Sequence, residues 1–407
     1  MIRVGIDIGN SKISCIVSNI KSGNNIKILS FISQPTNNIK KSVIINLDLL
    51  KHEVKEIINL AAKESHTDIH SVRLNLPMVD SISSYSNNEI SILNEKISEL
   101  HLKKTINKSD LFEPINNYRV IHRSIINYEI DQNNNIDNPI GMYGDILKLN
   151  FYKLAIRENY IKSISTIFDQ INIHVENYIP SPLSSALATL KKDEKELDCI
   201  CVDLGFGSTG VSVFVNNHLI FVDAIPIGGQ NITNDLAKGI STTIESAERL
   251  KTLYGSVITN PSDEHELIDV PILGSDSSEL KQINLSEVNS IIKPRVEETL
   301  ELIRQKLKEY NLHNKQIRNL VLTGGGSLLE GIDLYAQKIF DSKTRLAKPS
   351  PLIGVSEKYS KPQFSQTIGL ILYNTKDYEI DFLSKKLEKI KKNSILSQFS
   401  TWLDKYI

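Results

Sequence analysis

The chain is poor in cysteine: Cys15, Cys199 and Cys201 are the only three in 407 residues, each within an apolar, strand-like run. Three thiols cannot complete a paired disulfide framework or a four-thiolate metal site, so they read as reduced core cysteines of a cytoplasmic chain. The nine histidines are scattered without metal-ligand spacing. No stretch reaches the ~20 consecutive apolar residues of a membrane-spanning helix. The opening residues, MIRVGIDIG, lack the basic region and the run of about 7–15 apolar residues that mark a signal peptide. The expectation is a cytoplasmic protein that meets a membrane, if at all, from its surface. Net charge is nearly absent as well, 47 basic against 48 acidic residues giving −1. No global field draws such a chain to nucleic acid, and none is expected as a partner.

What the chain has is length enough for two or more domains, since single cores stop growing at about 250–300 residues. It also has a repeated device. IRVGIDIGNSKISCIVSNI opens it, and CICVDLGFGSTGVSVFVNNHL returns near residue 200. In each, a β-run carries an aspartate at its end (Asp7, Asp203), followed by a glycine-containing turn with hydroxyl or amide residues and a second β-run. Glycines let backbone N–H groups approach an anion, and serine or threonine hydroxyls add donors. Lys12 adds charge to the first turn. If the halves face each other, Asp7 and Asp203 could hold a hydrated Mg²⁺ bridging phosphate oxygens. Taken singly, each hairpin is equally an ordinary Gly/Ser turn.

A third glycine cluster lies in NLVLTGGGSLLEGIDLYAQKIF, which reads as a buried strand, a turn at Gly324, Gly325 and Gly326, and a helix starting near Ser327. Backbone without side chains at a helix start can lie flat against a nucleotide.

The only tryptophan, Trp402, sits in the closing segment SILSQFSTWLDKYI. At helical spacing Ile395, Leu396, Phe399, Trp402, Leu403, Tyr406 and Ile407 share one arc of roughly 140°. From residue 385 onward six lysines stand against Glu388 and Asp404, a net +4. A basic segment beside such a face describes either a helix lying in a membrane interface or one packed on its own domain.

The stretches GIDIGNSKI, NPIGM, PSPLSSALATL, VDLGFGSTGVSVF, IPIGGQNITNDLA, ESAERLKTLYG, IIKPRVEETLEL, VLTGGGSLLEGI and QTIGLILY, in this order and spacing, resemble the actin, Hsp70 and sugar-kinase superfamily. Within it, the chain resembles the FtsA family of bacterial cell-division proteins nearly end to end. The resemblance implies an α/β, actin-like (ribonuclease H-like) duplicated two-domain ATPase fold with an inserted subdomain and a C-terminal amphipathic helix. The implied layout is 1–82 with 164–192, an insert at 83–163, then 193–230 with 311–380, a smaller subdomain at 231–310, a basic linker at 381–393 and the terminal helix at 394–407.

Carried over by position, Asp7, Gly9, Asn10, Ser11 and Lys12 form the first phosphate loop, and Asp203, Gly205, Gly207, Ser208 and Thr209 the second. Gly228 and Gly229 match a turn that approaches ribose and phosphates, and Glu248 and Lys251 border the adenosine, although unaided the latter two read as a solvated i,i+3 pair. Gly324, Gly325, Gly326 and Ser327 complete the nucleotide set, with ATP and Mg²⁺ as ligands and Asp7 and Asp203 toward the metal. Arg295 is the candidate for pairing with an acidic group of the C-terminal peptide of FtsZ. The function implied is an ATP-binding protein that self-associates into filaments, tethers the FtsZ ring to anionic lipid at the inner face of the cytoplasmic membrane and recruits later division proteins. An actin-like pilus-assembly adaptor and a small-molecule kinase are the alternatives.

Two departures bear on mechanism. Where relatives read Gly-Gly-Gly-Thr-Thr-Asp this chain has GFGSTG, so that Phe206 either narrows the pocket or points into the sheet, and Gly210 replaces a carboxylate. Ser181 stands where several relatives have an acid, and YIPSPLSSAL supplies no base for water. Weak or absent ATPase activity is expected.

Overall fold

The computed structural model describes residues 1–20, 25–109, 113–136, 138–258, 260–274, 279–312 and 317–374. The expected basic linker and the terminal helix, with Ile395, Leu396, Phe399, Trp402, Leu403, Tyr406 and Ile407, lie outside the described residues.

The chain divides into two compact units, Met1–Ser81 with Ile156–Tyr373, and Ile82–Ala155. The first begins with β1 (Ile2–Ile8), β2 (Lys12–Ile20) and β3 (Ile26–Pro35), whose β-branched residues suit a pleated, buried surface. A small hairpin, β4 (Ile39–Lys40) and β5 (Val43–Ile44), leads into α1 (Leu47–Ser65) and β6 (Ser71–Leu76). Asn46 caps α1, accepting from the Leu49 N–H, and Leu50, Val54, Ile57, Ile58 and Ala61 form its buried stripe against β2 and β3.

The second unit contains β7 (Ile82–Lys96), α2 (Glu99–Lys108), β8 (Tyr118–Ile130), β9 (Asn133–Ile136) and most of β10 (Tyr143–Arg157), in a four-stranded sheet of order β7-β10-β8-β9. Its core gathers Ile90, Ile92, Ile97, Ile106, Ile130, Ile136, Leu147, Leu149 and Phe151. Residues 156–163, grouped with the insert by resemblance, belong to the first unit, where α3 (Glu158–Gln170) packs against α1.

The first unit continues through β11 (His174–Pro180), α4 (Ser181–Thr189), α5 (Lys192–Glu196), β12 (Cys199–Leu204), β13 (Thr209–Val215) and β14 (His218–Ile225). Next come α6 (Gly229–Ile240), α7 (Ile244–Tyr254), the β15 (Leu267–Pro271) and β16 (Leu280–Asn284) hairpin, and α8 (Leu285–Glu309). It closes with β17 (Asn319–Thr323), α9 (Ile332–Phe340), β18 (Lys343–Leu346) and α10 (Ser365–Leu372).

Two five-stranded sheets result, β3-β2-β1-β6-β11 and β14-β13-β12-β17-β18. In both, the first three strands are antiparallel and the last two join in parallel. The repeat visible in two hairpins is thus a duplication of a whole sheet. The three cysteines are buried and unpaired in these strands.

Helices α4 and α10 pack against each other closely, because Gly369 brings its backbone against the Ser184 carbonyl. The guanidinium of Arg3 donates to the Ile371 carbonyl (3.1 Å) and that of Arg73 to the Tyr373 carbonyl (2.6 Å), capping the C-terminus of α10.

The helix expected from Ser327 starts later. After β17, Gly324 takes φ +83°, Gly325–Leu328 forms a single 3-10 turn in which the Ser327 hydroxyl donates to the Gly324 carbonyl (2.7 Å), and Gly331, at φ +74°, precedes α9. The left-handed Gly331 is what delays the helix.

In the insert, His122 is 2% exposed and its Nε2 has no hydrogen-bond partner among the described residues. Burial, with a smaller contribution from Arg123, pulls it down to about 4. An unfolded histidine titrates near about 6.5, so the unfolded state binds more protons between these values and stability is lost as pH falls through that window. We expect up to about 3 kcal/mol of acid destabilisation from this group. Chemical denaturation of wild type and His122→Gln at pH 7 and pH 4.5 checks it: the loss on acidification should shrink in the variant, and equal losses would refute the assignment.

Candidate functional site

One cavity of about 420 Å³ lies in the first unit, where the two duplicated sheets present the ends of their central strands. Its wall includes Asp7, Gly9, Asn10, Ser11 and Lys12 from the first hairpin, Asp203, Gly205 and Ser208 from the second, Gly229, Glu248 and Lys251 from α6 and α7, and Gly324, Gly325 and Gly326.

The two hairpins are built alike. The last paired residues are Ile8 with Ile13 and Leu204 with Thr209, leaving four residues in each turn. Each turn is closed by a glycine N–H donating to a carbonyl three residues on, Gly9 to Lys12 (2.9 Å) and Gly205 to Ser208 (3.1 Å). They also touch: a Cβ on Gly207 would come within 2.4 Å of Asn10 Cγ, so Gly207 gives Asn10 its place between the turns.

Asp7 and Asp203 are each 4% exposed. The Asp7 carboxylate accepts from Asn75 (2.8 Å) and Thr367 (2.8 Å); that of Asp203 accepts from Gln366 (2.8 Å) and Ser185. Burial raises both, Asp7 to about 6, against the lowering effects of Thr367 and Lys12, while Asp203 pushes Asp7 further up. The Lys12 ammonium is lowered by burial and held up by both carboxylates; it donates to the Gln363 carbonyl (2.6 Å) and lies 4.0 Å from the Phe364 ring centroid. Gly324 makes room for the second acid, since a Cβ there would stand 2.2 Å from Asp203 Oδ1.

Among the described residues no three His, Cys, Asp or Glu side chains gather as a metal cage. The two carboxylates would hold a cation through its water shell rather than by a cage of direct side-chain ligands. Gln363 Oε1 is a further buried acceptor in the same wall, without a partner among the described residues.

On the α7 side, Lys251 donates to Glu248 (2.6 Å), Thr233 (2.9 Å) and the Gly229 carbonyl (3.1 Å). This is a partly buried network in the cavity wall, and burial lowers the lysine against the raising effect of Glu248. Phe206 lines the cavity with Lys251 Nζ 5.6 Å from its ring centroid, so it narrows the pocket and does not turn into the sheet. Gly210 is a packing requirement: a Cβ there would meet Pro182 Cγ at 2.6 Å.

Four expected residues stand behind the wall. Thr209 donates to the Ile227 carbonyl (2.8 Å), Ser327 closes its own turn, and Gly207 seats Asn10. Gly228 approaches the second hairpin itself, its missing Cβ falling 2.6 Å from the Phe206 carbonyl oxygen, and the next amides, Gly229 and Gln230, donate to Gly205 (2.9 Å) and Phe206 (2.7 Å). Arg295 lies on α8, away from the cavity wall, with its guanidinium forked onto Asp235 (2.5 and 3.2 Å) and paired with Glu298. Sequence reasoning missed Asn75, Ser185, Gln363, Gln366 and Thr367. Gln366 and Thr367 open QTIGLILY, yet nothing local marks them as partners of Asp203 and Asp7.

The family model described as "Cell division protein FtsA" matches residues 200–369, and "SHS2 domain inserted in FTSA" matches residues 80–154. Cell division protein FtsA of Agrobacterium fabrum is 30% identical over 379 residues, covering 90% of this chain and 86% of the relative. That of Buchnera aphidicola from Acyrthosiphon pisum is 30% identical over 416 residues, covering 99% and 97%.

The chain belongs to the FtsA family. Its actin-like fold is shared with the PilM-PilN type IV pilus biogenesis complex (TM-score 0.62, 16% identity, 91% and 97% covered) and with MreB5 of Spiroplasma citri bound to ADP (0.54, 13%, 97% and 99%). At those identities the likeness is one of fold alone. The FtsA insert is the second unit, a sheet with α2 on it, and the duplicated sheets around the cavity are the actin-like part.

Proposed function

We propose that this FtsA-family chain binds ATP with Mg²⁺ in the cavity, self-associates in that state, and tethers FtsZ to anionic lipid at the inner face of the cytoplasmic membrane, recruiting later division proteins. The observation that carries the nucleotide part is the pair of identically closed hairpins, each with a buried aspartate, facing one cavity with a lysine and a glycine turn.

In this reading the free N–H groups and hydroxyls of the two turns receive phosphate oxygens, and Lys12 supplies the charge. Asp7 and Asp203 would hold Mg²⁺ through its water shell, and the ion would supply charge that neutralises the phosphates. Gly324, Gly325 and Gly326 let backbone approach the nucleotide, and Glu248, Lys251 and Phe206 form its outer wall. Hydrolysis is expected to be slow because, among the described residues, the carboxylates lining the cavity are already engaged: Asp7 by Asn75 and Thr367, Asp203 by Ser185 and Gln366, and Glu248 by Thr233 and Lys251. The Ser181 hydroxyl donates to the Leu76 carbonyl (2.9 Å) and the Gln366 amide to Asp203; neither takes a proton from water. An acidic peptide group bound at Arg295 would have to replace Asp235 or Glu298.

Among the described residues no helix is long and apolar enough to cross a membrane. In this reading membrane attachment falls to residues 394–407, whose sequence has the amphipathic spacing and basic flank of an interfacial anchor, weak singly and made effective by many copies in a polymer. Co-sedimentation of the full chain and of residues 1–393 with vesicles of graded anionic content, with and without Mg-ATP, tests this. Only the full chain should pellet, and more so with Mg-ATP. If neither chain pellets, or both do so equally, the tether is wrong. The likeness to the pilus complex is met by fold alone, and family membership favours the division role.

A further inference from the structure

The tip of the β4–β5 hairpin carries a polar group that the site description leaves unused. Lys40 pairs with Val43, so Lys41 and Ser42 form a two-residue loop. Both are left-handed, at φ 47° and 64°. That is the conformation of a tight hairpin turn normally made by asparagine and glycine, and a side chain there is disfavoured. Ser42 is nevertheless 7% exposed, and it lines the cavity. Its N–H donates to Asn10 Oδ1 (2.8 Å), which fixes the tip over the first hairpin where Asn10 meets Gly207 of the second. Its hydroxyl is buried and has no hydrogen-bond partner among the described residues.

A buried donor without an acceptor is costly, and a strained turn that keeps a serine where glycine would relax it points to a use for the hydroxyl. The surrounding turns offer N–H groups and Lys12, so the complementary ligand is an anion rich in acceptor oxygens. The tip reaches the cavity at the meeting point of the two hairpins, the phosphate end.

Resting on the nucleotide reading above, we propose that the Ser42 hydroxyl donates to the terminal phosphate of a bound nucleoside triphosphate, making the 39–44 hairpin a discriminator of triphosphate from diphosphate. The contact joins the occupied cavity to the hairpin and, through it, to the start of α1.

The test measures Kd for the Mg²⁺ complexes of AMPPNP and ADP by calorimetry on the full chain and its Ser42→Ala and Ser42→Gly variants, with Tm of each free protein. Losing one hydrogen bond to a charged oxygen should weaken AMPPNP about tenfold in both variants and leave ADP within twofold. Ser42→Gly, free of the turn strain, should melt no lower than wild type, so its loss of preference cannot be a folding defect. An unchanged AMPPNP-to-ADP ratio, or equal weakening of both, overturns the proposal while nucleotide binding stands. If the unmodified chain binds neither nucleotide, it is the nucleotide reading itself that falls.

Discussion

Gly324→Ala is expected to weaken Mg-ATP binding at least 100-fold while Gly325→Ala, its immediate neighbour, changes it by less than threefold. At 324 the new methyl would lie 2.2 Å from Asp203 Oδ1 and 2.6 Å from the Leu204 carbonyl oxygen, at φ +83°. With ψ 169° this is a region essentially reserved for glycine, and the backbone alone costs about 1–3 kcal/mol for an alanine. Relief of the overlap requires the buried carboxylate to leave the Gln366 amide and the Ser185 hydroxyl, which disorders the aspartate assigned to the metal. At 325 the nearest atom is Gln363 Cβ, 3.7 Å away and in ordinary contact. Calorimetric titration of both variants decides the matter. Equal affinities in the two would show that Asp203 is not needed where the structure holds it.

The largest stability effect is expected from Gly369→Ala. Its Cβ would sit 1.7 Å from the Ser184 carbonyl oxygen, a backbone atom that cannot rotate away. Helices α4 and α10 would have to separate. The cost should exceed about 4 kcal/mol, beyond ordinary overpacking and a large share of the 5–15 kcal/mol that holds a typical domain together. The same separation would draw Ser185 from Asp203 and Thr367 from Asp7, so nucleotide affinity should fall with stability. Thermal melts followed by circular dichroism check this against Gly5→Ala, whose added methyl would meet side-chain atoms rather than backbone: Leu370 Cβ at 2.8 Å, Ile16 Cγ2 at 3.1 Å and Leu370 Cδ1 at 3.3 Å. A Gly369→Ala melt within 5 °C of wild type would mean that the helices are not locked at this point.

Much of the site was legible because phosphate-turn chemistry is local. An aspartate, a glycine two residues later and a second β-run recur within about a dozen residues, and both turns close as the pattern implies. The triple-glycine turn is legible for the same reason, but the start of the helix after it is not, because it depends on the left-handed backbone of Gly331. Gly228 lies against the second hairpin, a contact that no local pattern shows.

Asn75, Ser185, Gln366 and Thr367 were illegible because their role is to satisfy carboxylates far away in the chain. Thr367 bonds Asp7 across 360 positions. No window of sequence holds that pair. His122 looked like one of nine scattered histidines, and only its burial makes it an acid-sensitive group.

What the sequence by itself determined is therefore what short-range patterns carry: the two β-turn-β devices, the core cysteines in their strands, and, from the order of its motifs, the family. The tertiary structure alone decided that Phe206 faces the cavity, that Lys251 is tied to Glu248 and Thr233, that Gly324 rather than Gly325 abuts Asp203, and that Ser42 reaches the cavity beside Asn10. Backbone propensity and turn geometry act over a few residues, whereas burial, electrostatic neighbours and steric clearance are set by whichever distant residues the duplicated sheets bring together.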